Sequence, residues 1–145
     1  GMDTIEFEFL ANKGYEFKKI REAASGGEMS RIMLAIKSIM AKYRKLPSII
    51  FDEIDTGVSG EISKKMGMIM KDLGTKIQTF SITHLPQIAA MGESHFKIYK
   101  KEFDDLTKTM ISRLNENDRI IEIAKMLEGN NASKSAYTHA KQLLN

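Results

Sequence analysis

Two consecutive glycines stand before an apolar helical pattern, in the segment ASGGEMSRIML at 24–34. Ser25 and Glu28 have the spacing of a capping box, in which the serine caps a helix that begins near Gly26. Each glycine costs about 1 kcal/mol of helix propensity relative to alanine, so capping alone does not explain Gly26 and Gly27. The missing side chains would let an anion approach the free N–H groups at the amino end of the helix. Taken alone, the segment leaves capping and phosphate contact as equal alternatives.

A second candidate site follows a short apolar run, SIIFDEID at 48–55. Asp52 and Glu53 come directly after this run, as in a Walker B motif, although Ser48 interrupts the apolar residues. An aspartate at a buried strand end can hold Mg²⁺, which prefers oxygen ligands and retains most of its waters. A glutamate one position later can polarise a water that attacks a γ-phosphate. An acidic turn is the alternative, because an apolar run that ends in Asp-Glu occurs fairly often by chance.

His84 ends the next apolar run, KIQTFSITH at 76–84, which we predict to be a second buried strand. The carboxyl ends of parallel strands meet at one edge of a sheet, so this histidine is expected near the acidic pair. A histidine at a strand end is more often merely hydrogen-bonded than catalytic, and both readings stay open. His95 and His139 have no acidic or histidine neighbour at ligand spacing, and we interpret them as structural.

The elements that must position these residues follow from apolar periodicity. Alternation about the turn signal NKG predicts a β-hairpin at 5–20, and a second strand pair is predicted around EFDD at 102–105. Strands and helices alternate through the middle of the chain, which favours an α/β fold with a mainly parallel sheet flanked by helices. The apolar faces of the longer predicted helices lie at 29–40, 62–73, 120–127 and 132–144.

Composition limits the class of protein. The 145 residues are 42% hydrophobic and 28% charged, as in one ordinary globular domain. The absence of cysteine excludes disulfides and thiolate metal sites, and favours a reducing, cytoplasmic compartment. No apolar run is long enough to predict a membrane span. The net charge is only +3, so the basic cluster at 42–45 is interpreted as a solvated face more readily than as a nucleic-acid contact.

The order of the motifs is more specific than any one of them. ASGGE resembles the signature motif of ABC-type ATPases, SIIFDE their Walker B motif and ITH their switch-histidine strand, in the order of the carboxyl-terminal lobe of the head. The longer segments resemble a bacterial SMC-like ATPase of recombinational DNA double-strand-break repair, from about Glu6 onward. These segments are ASGGEMSRIMLAIKSIMA, IIFDEIDTGVSG, ITHLPQIAAM and EIAKMLEG.

The resemblance implies a role for each motif residue. Because ABC heads hold two nucleotides between two heads, the signature motif would contact the γ-phosphate of ATP bound to the opposite head. The implied nucleotide-binding residues are Ser25, Gly26, Gly27 and Glu28. Asp52 would hold Mg²⁺, Glu53 would be the general base for the attacking water, and His84 would sense or stabilise the γ-phosphate. Asp55 matches the DEID of SMC-like proteins, whereas Ser59 replaces the D-loop aspartate of transporters; both are accessory candidates.

A lysine-bearing P-loop, G-x-x-x-x-G-K-[ST], does not occur in the sequence, and neither do sustained heptads. The resemblance places that P-loop in an amino-terminal lobe beyond a long coiled coil. We therefore expect residues 1–145 to be a single domain that forms half of a head. Without P-loop amides and lysine the β and γ phosphates are not positioned, so the chain alone should bind ATP weakly and hydrolyse it negligibly.

The resemblance also implies partners. They are the P-loop lobe and coiled coil of the same protein, a second head in an ATP-dependent dimer, and DNA for the whole protein, with a location near the nucleoid. A missing lobe would leave apolar surface uncovered, which predicts self-association.

Two other classes of function compete with this interpretation. A metal-dependent nuclease could use Asp52, Glu53, Asp55 and His84. Two-metal sites need carboxylates from several strands, however, and adjacent strand residues point to opposite faces. A non-enzymatic module for DNA or protein binding would treat the motifs as relics, which the intact Asp-Glu pair and histidine argue against. Lys42, Arg44 and Lys45 are then the first residues to test for DNA contact.

Overall fold

The computed structural model describes residues 2–10, 13, 16–20, 25–103 and 106–145. Its strands are β1 (Glu8–Phe9), β2 (Lys18–Lys19), β3 (Ser48–Asp52), β4 (Gln78–Ile82), β5 (Phe96–Phe103) and β6 (Leu106–Arg113). Its helices are α1 (Gly26–Arg44), α2 (Gly60–Gly74), α3 (Pro86–Ala89), α4 (Glu116–Glu128) and α5 (Lys134–Leu144). The mixed α/β class predicted from the sequence is confirmed.

The hairpin predicted near the amino end is present as the short antiparallel pair β1 and β2. Glu8 lies opposite Lys19, and the Lys19 Nζ contacts Glu6 Oε1 at 2.8 Å. Most of the NKG turn that prompted the prediction lies outside the described residues.

The parallel pair β3 and β4 is the framework on which the motif residues stand. Its register places Ser48 opposite Gln78 at one end and Asp52 opposite Ile82 at the other. Ile49 and Phe51 point into the core, where Phe51 is fully buried. Their core neighbours from the helices and loops are Leu34, Ala41, Ile54, Val58, Met66, Met70, Leu73, Ile77 and Ile88. This core lies under one face of the sheet and holds the carboxyl ends of both strands side by side.

The other face of this sheet is uncovered within the described part of the chain. Ile50 is 58% exposed, Phe80 48% and Ile82 46%. The prediction that 76–84 forms a buried strand is therefore wrong for most of β4, because the core covers its pair from one side only. The apolar face predicted for α1 is wrong, because none of its six residues is buried: Met29, Ile32, Met33, Ile36, Ile39 and Met40. The helix is buried instead along Gly27, Leu34 and Ala41.

The parallel part of the fold is smaller than the sequence suggests. The described residues pair as three two-stranded sheets, of which β3–β4 alone is parallel. β5 does not extend that sheet and pairs antiparallel with β6, Phe96 lying opposite Arg113. The short link between β5 and β6 explains the difference, since a hairpin joins antiparallel strands whereas parallel neighbours need a long crossover.

The two closing helices were predicted correctly and form a second, smaller core. Asn115 caps α4 by accepting from the Asp118 N–H at 2.9 Å, and Ser133 caps α5 by accepting from Ala136 at 3.2 Å. The facing residues are Ala90, Ile123, Ala124, Ala136 and Ala140, with partly buried neighbours that include Ile120, Leu127, Ala132, Leu143 and Leu144. Small residues at 124, 136 and 140 let the two helix backbones approach closely. None of the described helices is both long and apolar enough to cross a membrane.

His95 lies at the junction of α3 and the β5–β6 hairpin and gives the fold a testable pH dependence. Burial, followed by the charge of Arg119, lowers the pKa of its ring below the ordinary value. The unfolded chain then binds a proton more readily, so the free energy of unfolding should fall as the pH drops below about 6.5. We expect His95→Gln to weaken this acid sensitivity in urea titrations between about pH 5 and 8. His139→Gln, at an exposed histidine, is the matched control. If the free energy of unfolding varies with pH in the same way for wild type and His95→Gln, the expectation is contradicted.

Candidate functional site

The amino end of α1 is closed by the capping box that the sequence predicted. The Ser25 Oγ accepts from the Glu28 N–H at 3.4 Å, and the Ser25 N–H donates to Glu28 Oε2 at 2.7 Å. That backbone hydrogen bond is the main reason why the pKa of Glu28 lies below its ordinary value. Capping thus accounts for the serine and the glutamate, and the glycines remain to be explained.

The two glycines have different surroundings. A Cβ on Gly27 would lie 2.5 Å from the Gly57 carbonyl oxygen, so only glycine fits there without moving the backbone. A Cβ on Gly26 would meet nothing within 4 Å, and Gly26 is exposed. Packing within the chain therefore explains Gly27, whereas Gly26 leaves the first backbone N–H of α1 open to a ligand.

The acidic pair lies where β3 ends and the chain turns sharply. Asp52 is the last strand residue and is exposed. Glu53 has a positive φ of 45°, an uncommon conformation for a residue with a side chain. Its N–H donates to the Ile82 carbonyl at 3.1 Å, and its carbonyl accepts from the Thr56 N–H at 3.2 Å and the Thr56 Oγ1 at 2.9 Å. The backbone of Glu53 is thus held on both sides while its side chain is exposed.

Asp55 occupies the middle of this turn and is almost fully buried, with 1% of its surface exposed. The Thr83 hydroxyl donates a short hydrogen bond to its Oδ2, and the same oxygen lies 3.6 Å from the His84 Nδ1. The His84 side chain is 63% exposed, so the ring lies at the surface beside a buried carboxylate. The structure therefore joins His84 to Asp55, a link that sequence spacing did not indicate.

The turn at 53–58 connects the three motif segments. Its Gly57 packs on Gly27, and its Thr56 carbonyl accepts from the Ser30 Oγ of α1 at 3.2 Å. Its Asp55 contacts the residues that follow β4. Contacts made by Asp55, Thr56 and Gly57 therefore link the amino end of α1 to the residues that follow β4, at the carboxyl edge of the parallel pair.

Three contributors to this linkage were missed by the sequence reasoning: Ser30, Gly57 and Thr83. Gly57 has a φ of 72°, and its place in the run TGVSG is a turn signal that could have indicated it. Ser30 and Thr83 carry no local signal, since their partners lie 26 and 28 residues away. Ser59, an accessory candidate, stands at the N-cap position of α2, and its side chain makes no capping hydrogen bond.

The site offers one carboxylate of the kind that suits Mg²⁺. Asp52 is exposed at the strand end, and Mg²⁺ commonly uses one or two protein carboxylates together with waters and substrate phosphates. In the part of the chain that the structure describes, no three His, Asp or Glu side chains converge as metal ligands. Asp52, Glu53, Asp55 and His84 thus do not form the multi-carboxylate cluster that a two-metal nuclease would use.

Solved structures that are similar to this chain include SMC ATPase heads. One comes from work on ATP-driven dimerisation and DNA-stimulated activation of SMC ATPases; it aligns with a TM-score of 0.55 and 27% identity over 75% of this chain and 66% of that one. Another is an Smc head bound to the C-winged-helix domain of ScpA, with a TM-score of 0.56 and 27% identity over 72% of this chain and 31% of that one. The fold of the chain is similar to that of these SMC ATPase heads.

Sequence relatives of the chain include the DNA repair protein RecN of several bacteria. The chain is 40% identical to the DNA repair protein RecN of Halalkalibacterium halodurans over 99% of this chain and 26% of the relative. RecN of Bacillus subtilis is 40% identical over 99% and 25%, and RecN of Rickettsia conorii 42% identical over 99% and 26%. The chain spans about a quarter of the length of these relatives. No protein-family model matches it.

Proposed function

We propose that this chain supplies the signature motif, the Walker B motif and the switch histidine of a RecN-like ATPase that acts in recombinational DNA double-strand-break repair. The observation that carries the proposal is the turn at 53–58, which contacts both the amino end of α1 and the residues after β4. Similarity to RecN and to SMC heads supports the same assignment. A nucleotide site built this way would work only in the larger protein, since the chain contains no P-loop.

Two acidic residues would carry the chemistry at the strand end. Asp52 would bind Mg²⁺ directly or through water, and the metal would neutralise charge on the β and γ phosphates. Glu53 would accept a proton from the attacking water. Its backbone is fixed by the bonds to Ile82 and Thr56, so its exposed carboxylate starts from a defined position rather than from a mobile loop.

The amino end of α1 would bind the γ-phosphate of a nucleotide held by a second head. Ser25 and Gly26 are exposed there, and the helix dipole favours an anion. Gly27, which packs on Gly57, would hold the amino end of α1 against the turn at 53–58. Glu28 would keep the serine in place through the capping box, and its side chain is already engaged by the Ser25 N–H.

The uncovered face of β3–β4 would be the docking surface for the P-loop lobe. Ile50, Phe80 and Ile82 form an apolar strip on the side of the sheet that the core leaves open.

Because water contact with such a strip is unfavourable, the chain alone should associate with itself. We expect light scattering across dilutions to give masses above the monomer at high concentration. A monomer at every concentration would contradict this expectation.

A variant pair locates that docking surface. Phe80→Asp should weaken binding of a separately produced P-loop lobe at least about tenfold in calorimetry, because a charge would be buried without a partner. Leu106→Asp, on the 66% exposed side chain at the tip of the β5–β6 hairpin, is the matched control and should not change binding. Equal weakening by both variants would place the contact elsewhere.

The proposed activity is tested by reconstitution. ATP hydrolysis is measured for this chain, for the P-loop lobe, and for their mixture. We expect activity in the mixture alone, because each lobe lacks groups that position the triphosphate. Hydrolysis by this chain alone, or a silent mixture of lobes that bind each other, would overturn the proposal.

A DNA-binding module is the second candidate, favoured by the exposed basic end of α1. Lys42, Arg44 and Lys45 are all exposed, and the intervening Tyr43 is 86% exposed. If this end contacts DNA, replacing the three basic residues by alanine should weaken binding and flatten its salt dependence.

A cleavage assay on linear duplex DNA with Mg²⁺ or Mn²⁺ separates this module from a nuclease. In the complete protein, which would act near the nucleoid, DNA binding and ATP hydrolysis would both serve DNA repair.

A further inference from the structure

Asp55 is a buried acid that the proposed chemistry does not use. Its side chain is 1% exposed, and Oδ1 has no hydrogen-bond partner among the described residues. Oδ2 accepts from the Thr83 hydroxyl, whose oxygen in turn accepts from the Leu85 N–H at 3.0 Å. A buried carboxylate with one hydroxyl donor is poorly compensated, so a nearby group that can donate a proton or carry positive charge would stabilise it.

His84 is that group in the described part of the chain. Its Nδ1 lies 3.6 Å from Asp55 Oδ2, which is longer than a hydrogen bond and within the range of an ion pair. A small rotation of the exposed ring would close the gap, and such contacts commonly tighten when a ligand binds. Since Nδ1 faces the carboxylate, Nε2 lies on the far side of the ring from Asp55.

We propose that Asp55 is a positioning residue that holds His84 by its Nδ1–H and so presents Nε2 to the nucleotide. The inference rests on the proposed function for the identity of that nucleotide. Asp55 itself touches no phosphate in this scheme, because it is buried behind the ring. Carboxylates commonly fix the orientation and the tautomer of functional histidines in this way.

The same residue belongs to the turn that contacts the signature helix. Thr56 and Gly57, the next two residues, pack on Ser30 and Gly27. A displacement at the start of α1 would therefore move Asp55 and, through it, the histidine ring. The geometry joins the signature motif to the switch histidine by a contact path of a few residues.

The first test reads the tautomer of His84 and needs no ATP. Long-range ¹H–¹⁵N spectra of the histidine rings of this chain are recorded at a pH where the rings are neutral. We expect His84 to carry its proton on Nδ1, and Asp55→Asn to move it to Nε2. Thr83 bonds Asp55 as well, so a variant that fails to fold leaves the wild-type spectrum to decide. A wild-type His84 protonated on Nε2 would overturn the proposal, as would a tautomer unchanged in a folded Asp55→Asn.

The second test reads turnover in the reconstituted head. Asp55→Asn and His84→Ala should each lower the rate of ATP hydrolysis about ten- to a hundredfold, and the double variant should be no slower than the slower single variant. If the fold-loss in ATP hydrolysis of the double variant equals the product of the two single losses, Asp55 acts independently of His84, and the proposal is overturned. A silent wild-type head would count against the proposed function instead, while the tautomer would still report on Asp55 and His84.

Discussion

Glu53→Gln is expected to lower ATP turnover by the reconstituted head at least about a hundredfold, because a general base contributes about 10²- to 10⁴-fold to a rate. The amide has nearly the shape of the carboxylate and cannot accept the proton of the attacking water. The backbone bonds that hold Glu53 involve its N–H and carbonyl, which the substitution leaves in place. ATP binding and the free energy of unfolding should therefore be unchanged.

Steady-state hydrolysis and nucleotide binding are measured together to separate chemistry from affinity. Glu61→Gln is the matched control, because Glu61 is also an exposed glutamate, in the first turn of α2. Among the described residues its ion pair is with Lys65, at 2.8 Å. The control should hydrolyse ATP like the wild type. Normal turnover by Glu53→Gln would remove the proposed general base, and equal losses in both variants would indicate a general effect of lost charge.

Gly27→Ala should produce the largest loss of stability among the motif variants. The new methyl group would meet the Gly57 carbonyl at 2.5 Å, and backbone on both sides would have to move. Overpacking of this kind costs about 1–3 kcal/mol, and here it also displaces the turn that carries Asp55. We expect urea titration to show a matching decrease in the free energy of unfolding.

Gly26→Ala is the control one residue away. A Cβ there meets nothing, so the free energy of unfolding should stay the same or rise by up to about 1 kcal/mol of helix propensity. If the open N–H of Gly26 faces a phosphate, the same stable variant should still slow ATP turnover in the reconstituted head. Equal stability of the Gly26 and Gly27 variants would contradict the packing account.

Local structure around the site was readable from the sequence. The capping box at Ser25 and Glu28 depends on residues within one turn of the helix boundary. The strand ends at Asp52 and near His84 followed from apolar runs of the right length. These features are decided by short-range chemistry, which a single sequence contains in full.

Other features of the site depend on packing between residues that are far apart in the sequence. Phe80 is exposed because no described part of the chain covers that face of the sheet, and no residue of β4 indicates this. Nothing in the sequence near Gly27 indicates that Gly57 packs against it. The hydrogen bond to Asp55 likewise comes from Thr83, which is 28 residues away. Long-range contacts of this kind are set by the whole fold and leave no local pattern.

Mixing two inactive heads shows whether the signature motif of one head serves the nucleotide of the other. One head carries Ser25→Arg, which blocks the signature motif, and the other carries Glu53→Gln, which removes the general base. If the signature motif serves the nucleotide of the opposite head, each variant alone is inactive, and a mixed dimer contains one site with both intact parts. An equal mixture should then recover about a quarter of wild-type hydrolysis, since about half of the dimers are mixed and each has one working site of two. A mixture as inactive as its components would show that the signature motif does not serve the nucleotide of the opposite head.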